Sequence, residues 1–190
     1  MNPLENYIAS YFAVQNPVEI KHISTLFHSK KLKKGAFLLK SEAYSSSLSF
    51  VHTGLLRMFA LTDGKEVTQW ISTAGSFSVD LSSFIFDTPS RWNIQALSDT
   101  EVFSISKKDY QNLGKVVQGW NELEKLFLVR CFTELENRVF GHLSLSAEER
   151  YHVFFQENKE LFNQVPLQYI ASMLGMTPET FSRIRKKQVS

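Results

Sequence analysis

The rhythm of hydrophobic and polar positions changes twice along the chain. Up to His28 the apolar residues are spaced for short helices. Asn2 can cap a segment that starts at Pro3, and Pro17 suits the first turn of "PVEIKHISTLF". From Leu32 to Ser106 the period drops to two. "AFLLKSE", "SLSFVHTG", "LLRMFALT", "KEVTQWIST", "RWNIQALS" and "EVFSIS" alternate over strand lengths, and Thr53-Gly54 and Asp63-Gly64 are hairpin-type breaks. Short strands at this spacing predict an antiparallel sandwich, barrel or roll.

After Ser106 the period lengthens again. "KKDYQNLG" reads as a short helix, and a proline-free helical stretch follows from Lys115 to Leu143. Val116, Trp120, Leu123, Phe127, Cys131, Leu135 and Val139 fall at steps of three and four, with Glu122, Lys125, Arg130, Glu134 and Glu136 off the stripe. Such a stripe either lies on the chain's own core or forms a dimer seam; a long helix between two domains has little else to pack on. Val116, Trp120, Leu123, Phe127, Cys131 and Leu135 are therefore the expected dimer contacts. Ser146 with Glu149 can form a capping box for "AEERYHVFFQEN".

The last segments, "PLQYIASMLG" and "TPETFSRIRKK", carry the chemistry. Ile170, Ala171 and Leu174 share a face, and the small Ala171 lets a second helix come close. Gly175 suits a helix end with positive φ, and Met176 turns inward. Thr177 can cap the second helix, with Pro178 in its first turn and Glu179 near the positive end of its dipole. Phe181 and Ile184 point to the core. Thr177, Pro178, Glu179, Thr180, Ser182 and Arg183 then face outward, with Arg185, Lys186 and Lys187 beyond. A helix-turn-helix needs this arrangement: short polar side chains and an arginine for base edges, and basic groups for phosphates.

Composition narrows the alternatives. The chain has 190 residues, enough for one large or two small domains, and its net charge of +2 means that any nucleic-acid contact must come from a local patch. The single Cys131 excludes an internal disulfide and a cysteine-ligated iron–sulfur cluster. The opening "MNPLENYIASYFAV" has no basic region before an apolar core, and no apolar run is long enough for a membrane, so a cytoplasmic location without membrane contact is expected. His22, His28, His52, His142 and His152 are scattered over different segments, which gives no metal cluster for a β-roll enzyme.

With "KKGAFLLKSE", "SFVHTGLLRMFALTDGKEVTQWISTAGSF" and "TEVFSISKKDYQNL" ahead of the long helix and "LGMTPETFSRIRKK" after it, the chain resembles the Crp–Fnr family of bacterial transcription regulators. The resemblance implies an α+β fold. An N-terminal antiparallel β-roll (a double-stranded β-helix or jelly-roll-like domain) with short helices takes 1–114, a long dimerisation helix 115–143, and an all-α helix-turn-helix domain 144–190. It implies a non-enzymatic homodimer that binds palindromic double-stranded DNA and meets RNA polymerase. Base and phosphate contacts would fall on Thr177, Pro178, Glu179 and Arg183. Many relatives continue into a β-hairpin wing, which is not expected here. Relatives that bind cAMP use a glycine–glutamate pair for the ribose and an arginine–serine pair for the phosphate. Here Val79-Asp80 and Ser90-Arg91 take those places. Asp80 has the shorter reach, and Arg91, one residue along a strand, should point to the opposite face. Asp80, Ser90 and Arg91 are the candidate effector contacts, cAMP by the usual chemistry is not expected, and the identity of any effector stays open. Phe77, Phe84, Phe86 and Trp92 either line an apolar pocket or pack the core. The competing reading is a small-molecule sensor that acts through a protein partner, its last helices only structural.

Overall fold

Asn2 accepts the Glu5 backbone N–H at 2.9 Å, and the Glu5 carboxylate accepts the Asn2 N–H at 3.0 Å. This reciprocal cap starts α1 (Pro3–Phe12), and Asn16 caps α2 (Pro17–Thr25) through the Val18 N–H. The computed structural model describes residues 1–189. Strands follow: β1 (Phe27–Leu32), β2 (Phe37–Leu39), β3 (Ser47–Thr53), β4 (Leu56–Thr62), β5 (Lys65–Ser72), β6 (Phe77–Ser78), β7 (Asn93–Ala96) and β8 (Thr100–Ser106), with α3 (Leu81–Phe86) between β6 and β7. They form two four-stranded sheets, in the orders β1-β8-β3-β6 and β2-β7-β4-β5. The fold is α+β: a β-roll followed by helices. After the roll come α4 (Lys107–Gln111), α5 (Trp120–Ser144), α6 (Ala147–Glu157), α7 (Leu161–Gln164), α8 (Leu167–Met173) and α9 (Pro178–Val189).

Four elements were not expected from the sequence: β1, β6, α3 and α7, the last a single turn inside what reads as a connector over Lys159 to Val165. In β1 only Phe27 and Leu32 are buried, so the strand has no alternation; Lys30 and Lys31 sit on a sheet edge, where lysine discourages pairing with another chain. The two-residue β6 is too short to show a period. The short α3 begins where Asp80 accepts the Ser83 N–H, a cap the alternating pattern hides.

The chain divides into two compact units. The first comprises Met1–Met58 with Ile71–Cys131; the second comprises Phe59–Trp70 with the chain from Phe132 on. The first unit has two apolar layers. Val51, Leu56, Ile94, Ala96 and Val102 fill the roll. On the other face of β3, Leu48 and Phe50 pack with α1, α2 and the start of α5. Alternation along β3 makes this division. Phe12 lies at the centre of the second layer, with ring centroids 5.2 Å from Trp120 and 5.1 Å from Phe127. Gly54 sets the turn between β3 and β4 at φ 85°, where a Cβ would stand 2.5 Å from the Asp99 carbonyl and from Thr100 Oγ1.

The long helix departs from its expected bounds. It begins at Trp120, after Gly119 at φ 70°, and Leu113–Lys115 form a separate 3-10 turn. Two glycines in "LGKVVQG" interrupt what reads as continuous helix. Val116 therefore lies ahead of the helix, off any stripe. In the second unit an aromatic core forms, with Tyr151 5.2 Å from Phe181 and Phe155 4.9 Å from Phe162.

Candidate nucleic-acid interface and effector pocket

The turn between α8 and α9 is built from the residues that the sequence singled out. The Gly175 N–H donates to the Ser172 carbonyl at 3.0 Å, and the Met176 N–H reaches back to the Ala171 carbonyl at 2.9 Å. This double closure needs a left-handed residue after the helix, and Gly175 supplies φ 68°. A Cβ there would also touch the His142 ring at 3.4 Å. Met176 is buried, so the chain enters α9 with Thr177 outside. Thr177 Oγ1 accepts the Thr180 N–H at 3.3 Å. Phe181 and Ile184, three apart, hold α9 to the core, and α8 is held through the buried Ile170, Ala171 and Met173.

The outer face of α9 gathers Glu179, Ser182, Arg183, Lys186 and Lys187 around one open hollow. Thr177 and Pro178 are exposed beside it at the helix start. Thr180 is half-buried, and Arg185, though exposed, lies on the flank nearer Tyr151; neither lines the hollow. Glu179 accepts from its own backbone N–H and from the Thr177 hydroxyl, and these hold its carboxyl below the usual range. It therefore stands ionised at the positive end of the helix dipole. Lys187 is 3.8 Å from Glu148, a loose surface pair that leaves the ammonium exposed. The hollow thus offers one fixed carboxylate, a hydroxyl and three cations on a rigid helix.

The helix α5 divides the expected dimer contacts. Trp120 and Phe127 are 5% and 0% exposed and are consumed within the chain's own core, while Leu123 and Cys131 are half-buried against it. This corrects the expected seam: Trp120 and Phe127 have no surface left for a second copy, and Val116 lies ahead of the helix rather than on its face. Val116, Leu135 and Val139 are exposed. The free apolar face is rotated by one residue, about 100° of helix. It contains Leu128, Phe132, Leu135, Val139 and Leu143, with Phe132 65% and Leu143 82% exposed. The signal was present in the sequence: these positions also follow steps of three and four.

The candidate effector residues are bonded to one another. Ser90 Oγ donates to Asp80 Oδ2 at 2.7 Å, and Asp80 Oδ1 accepts the Ser83 N–H at 3.2 Å. Ser83 Oγ in turn accepts the Ser45 N–H at 2.8 Å. All four side chains are buried. Arg91 is exposed, and its guanidinium lies over the Trp92 ring, 4.5 Å from the centroid. Asp80 and Ser90 come together, but as an internal latch across α3 with Arg91 facing away. Phe84 packs against Tyr110 in the core, Phe77 is half-buried, and Phe86 is exposed, so the aromatic residues do not line one pocket. Burial and the neighbouring Glu124 carboxylate push the Tyr110 phenol well above its ordinary pKa. Among the described residues no cluster of His, Cys, Asp or Glu is arranged to hold a metal ion, and no helix is long and apolar enough to cross a membrane.

Residues 29–115 match the cyclic nucleotide-binding domain. No curated protein sequence matches the chain significantly. Among solved structures, the catabolite activator protein of Thermus thermophilus is similar with a TM-score of 0.59 and 21% identity, over 94% of this chain and 86% of that one. The c-di-GMP responsive global regulator CLP of Xanthomonas campestris gives a TM-score of 0.70 at 15% identity, over 91% of each chain. FixK2 of Bradyrhizobium japonicum gives 0.70 at 18%, over 85% of this chain and 83% of its own.

Proposed function

We propose that this chain, which has a cyclic nucleotide-binding domain and the fold of the Crp–Fnr-type regulators, is a bacterial transcription regulator that reads DNA with α9 as a homodimer and has no enzymatic activity. The observation that carries the reading is the outer face of α9, where Glu179, Ser182, Arg183, Lys186 and Lys187 converge while Phe181 and Ile184 fix the helix to its core. Glu179 and Arg183 are four residues apart, so both reach one groove. The carboxylate can accept from a cytosine amino group, and the guanidinium can donate to guanine O6 and N7. Lys186 and Lys187 suit phosphates. The exposed apolar face of α5 supports pairing of two copies, which would set two reading helices about 34 Å apart for a palindromic site. RNA polymerase is the partner such a regulator would act on, in the cytoplasm. An effector in the roll is not required by this reading. The Asp80–Ser90 latch and the outward Arg91 argue against cAMP held by the usual pairs.

The experiment is a binding series on a selected palindromic site and on random DNA at two salt concentrations. Arg183→Ala should cost about 1–3 kcal/mol on the specific site if its contact is bidentate to guanine. Lys187→Ala should weaken both DNAs alike and flatten the salt dependence. Parent-like binding by Arg183→Ala on both DNAs would remove α9 as the reader. Absence of DNA binding by the parent would favour a sensor that acts through a protein partner.

A further inference from the structure

In the second unit one half-buried cation joins three elements. Arg138, on α5, has a half-buried guanidinium whose pKa is drawn down by loss of solvent, and among the described residues no carboxylate pairs with it. Its Nη1 donates to the Gln69 carbonyl on β5. Its Nη2 donates to the Met173 carbonyl, the last residue of α8, at 3.1 Å. The guanidinium carbon stands 5.4 Å from the centroid of the Trp70 ring. A guanidinium can do all three at once because its donors lie in a fixed plane whose face stacks on an aromatic ring. A second bond joins the same two elements: the Thr68 N–H donates to Ser172 Oγ at 2.9 Å, and Ser172 Oγ donates to the Glu66 carbonyl at 3.4 Å. On the far side of the α8 end, Arg150 Nε donates to the Leu174 carbonyl at 3.0 Å. His142, one turn after Arg138, lies against Gly175 in the turn.

These bonds stitch the β4–β5 hairpin to α8 just before the turn that orients α9, while the outer face of α9 stays open. An isolated surface hairpin would leave its strand carbonyls to water; here the Gln69 carbonyl is held by a half-buried charge instead. We propose that Arg138 is a positioning residue that makes the β4–β5 hairpin and the α8–α9 pair move as one body, so that a ligand, partner or mutation acting on the hairpin is read out at α9. The inference rests on the reading of α9 as a DNA-binding helix for its consequence, but the coupling itself does not.

The test uses the full chain and measures amide hydrogen exchange and binding to a specific site in parallel. In Arg138→Gln, exchange should rise about tenfold at Glu66–Trp70 and at Ser172–Gly175 together, with the amides of α6 unchanged, because local openings report local links. Arg138→Lys should not restore protection, since one ammonium cannot bridge two carbonyls and stack. Trp70→Leu should speed exchange at Ser172–Gly175 in the parent and add nothing in the Arg138→Gln background, the non-additivity of a shared link. Specific DNA affinity should fall about tenfold with the same pattern. Exchange that changes at one segment only, full rescue by lysine, or additive effects of the Trp70 and Arg138 variants would overturn the coupling. Should Arg138→Gln fail to fold, Ser172→Ala and Trp70→Leu test the same link from its other ends. Failure of the parent to bind DNA would overturn the functional reading while leaving the exchange result to decide the coupling.

Discussion

Replacing Phe132 by Glu on the free face of α5 is the sharpest test of how two copies meet. Phe132 is 65% exposed in the single chain, so of a side chain offering about 200 Å² roughly 130 Å² is available to a partner. At about 25 cal/mol/Å² its burial is worth roughly 3 kcal/mol per copy, or about 6 kcal/mol across a symmetric seam. Area converts incompletely into affinity, so about half of that sum, ~3 kcal/mol, is a safer expectation, equal to a dissociation constant weaker by about 100-fold. The two added carboxylates would face each other across the seam and push further in the same direction. Sedimentation equilibrium over a concentration series measures the shift. Phe127→Glu is the informative contrast. That ring is sealed in the core, so a carboxylate there should abolish cooperative unfolding rather than release a folded monomer. A Phe132→Glu protein as dimeric as the parent would refute the assignment of the seam. So would a Phe127→Glu protein that is folded and monomeric, which would restore the inward stripe as the contact.

Three further outcomes follow from particular contacts. Gly54→Ala should lose more than ~2 kcal/mol in chemical denaturation, because a Cβ would meet the Asp99 carbonyl at 2.5 Å and φ is 85°; Gly64→Ala, at φ 72° with nothing near its Cβ, should lose less. Ser90→Ala should cost about 1–3 kcal/mol by leaving the buried Asp80 one donor short, and millimolar cAMP should move the melting temperature of neither this variant nor the parent; a saturable shift with a micromolar midpoint would show that Asp80 and Arg91 reach the nucleotide by another geometry. Glu179 has a folded-state pKa below its ordinary 4.5, so its contribution to α9 is present above that value and is lost as pH falls through the lower, folded value; an NMR titration of its side chain should show a midpoint below 4.5, and a midpoint at or above it would contradict the cap.

The helix-turn-helix was legible because its local rules leave few choices. Gly175 can close α8 only with a positive φ, Thr177 is the next residue able to cap, and Phe181 and Ile184 are the only large apolar residues between Thr177 and Lys187. Each choice concerns neighbours in sequence, and each agrees with the others. The strands were legible where one face is buried and the other is not; β1 and β6 were hidden because lysines and brevity erase that contrast. What sequence periodicity leaves undecided is which of two equivalent stripes meets which surface. Phe127 and Cys131 continue the spacing of Trp120 as well as Leu128 and Phe132 continue that of Leu135, and helical periodicity scores both alike.

The decision between those stripes lies more than a hundred residues away, in Phe12 on α1, whose ring meets Trp120 and Phe127. The effector residues show the same limit in polar form. Asp80 and Ser90 read as ligand contacts because they take the places of the glycine–glutamate and arginine–serine pairs in the resemblance. Here Ser90 donates to Asp80, and the Ser83 N–H takes its second oxygen. A buried carboxylate bonded on both oxygens by its own fold can meet a ribose hydroxyl only at the cost of opening the fold around it. That cost must be met by the ligand, and Arg91, stacked on Trp92 and facing outward, is not placed to help meet it. The place where this chain departs from glycine–glutamate and arginine–serine is thus one where the fold has closed on itself, and the proposed route of a signal to α9 runs instead through the β4–β5 hairpin held by Arg138.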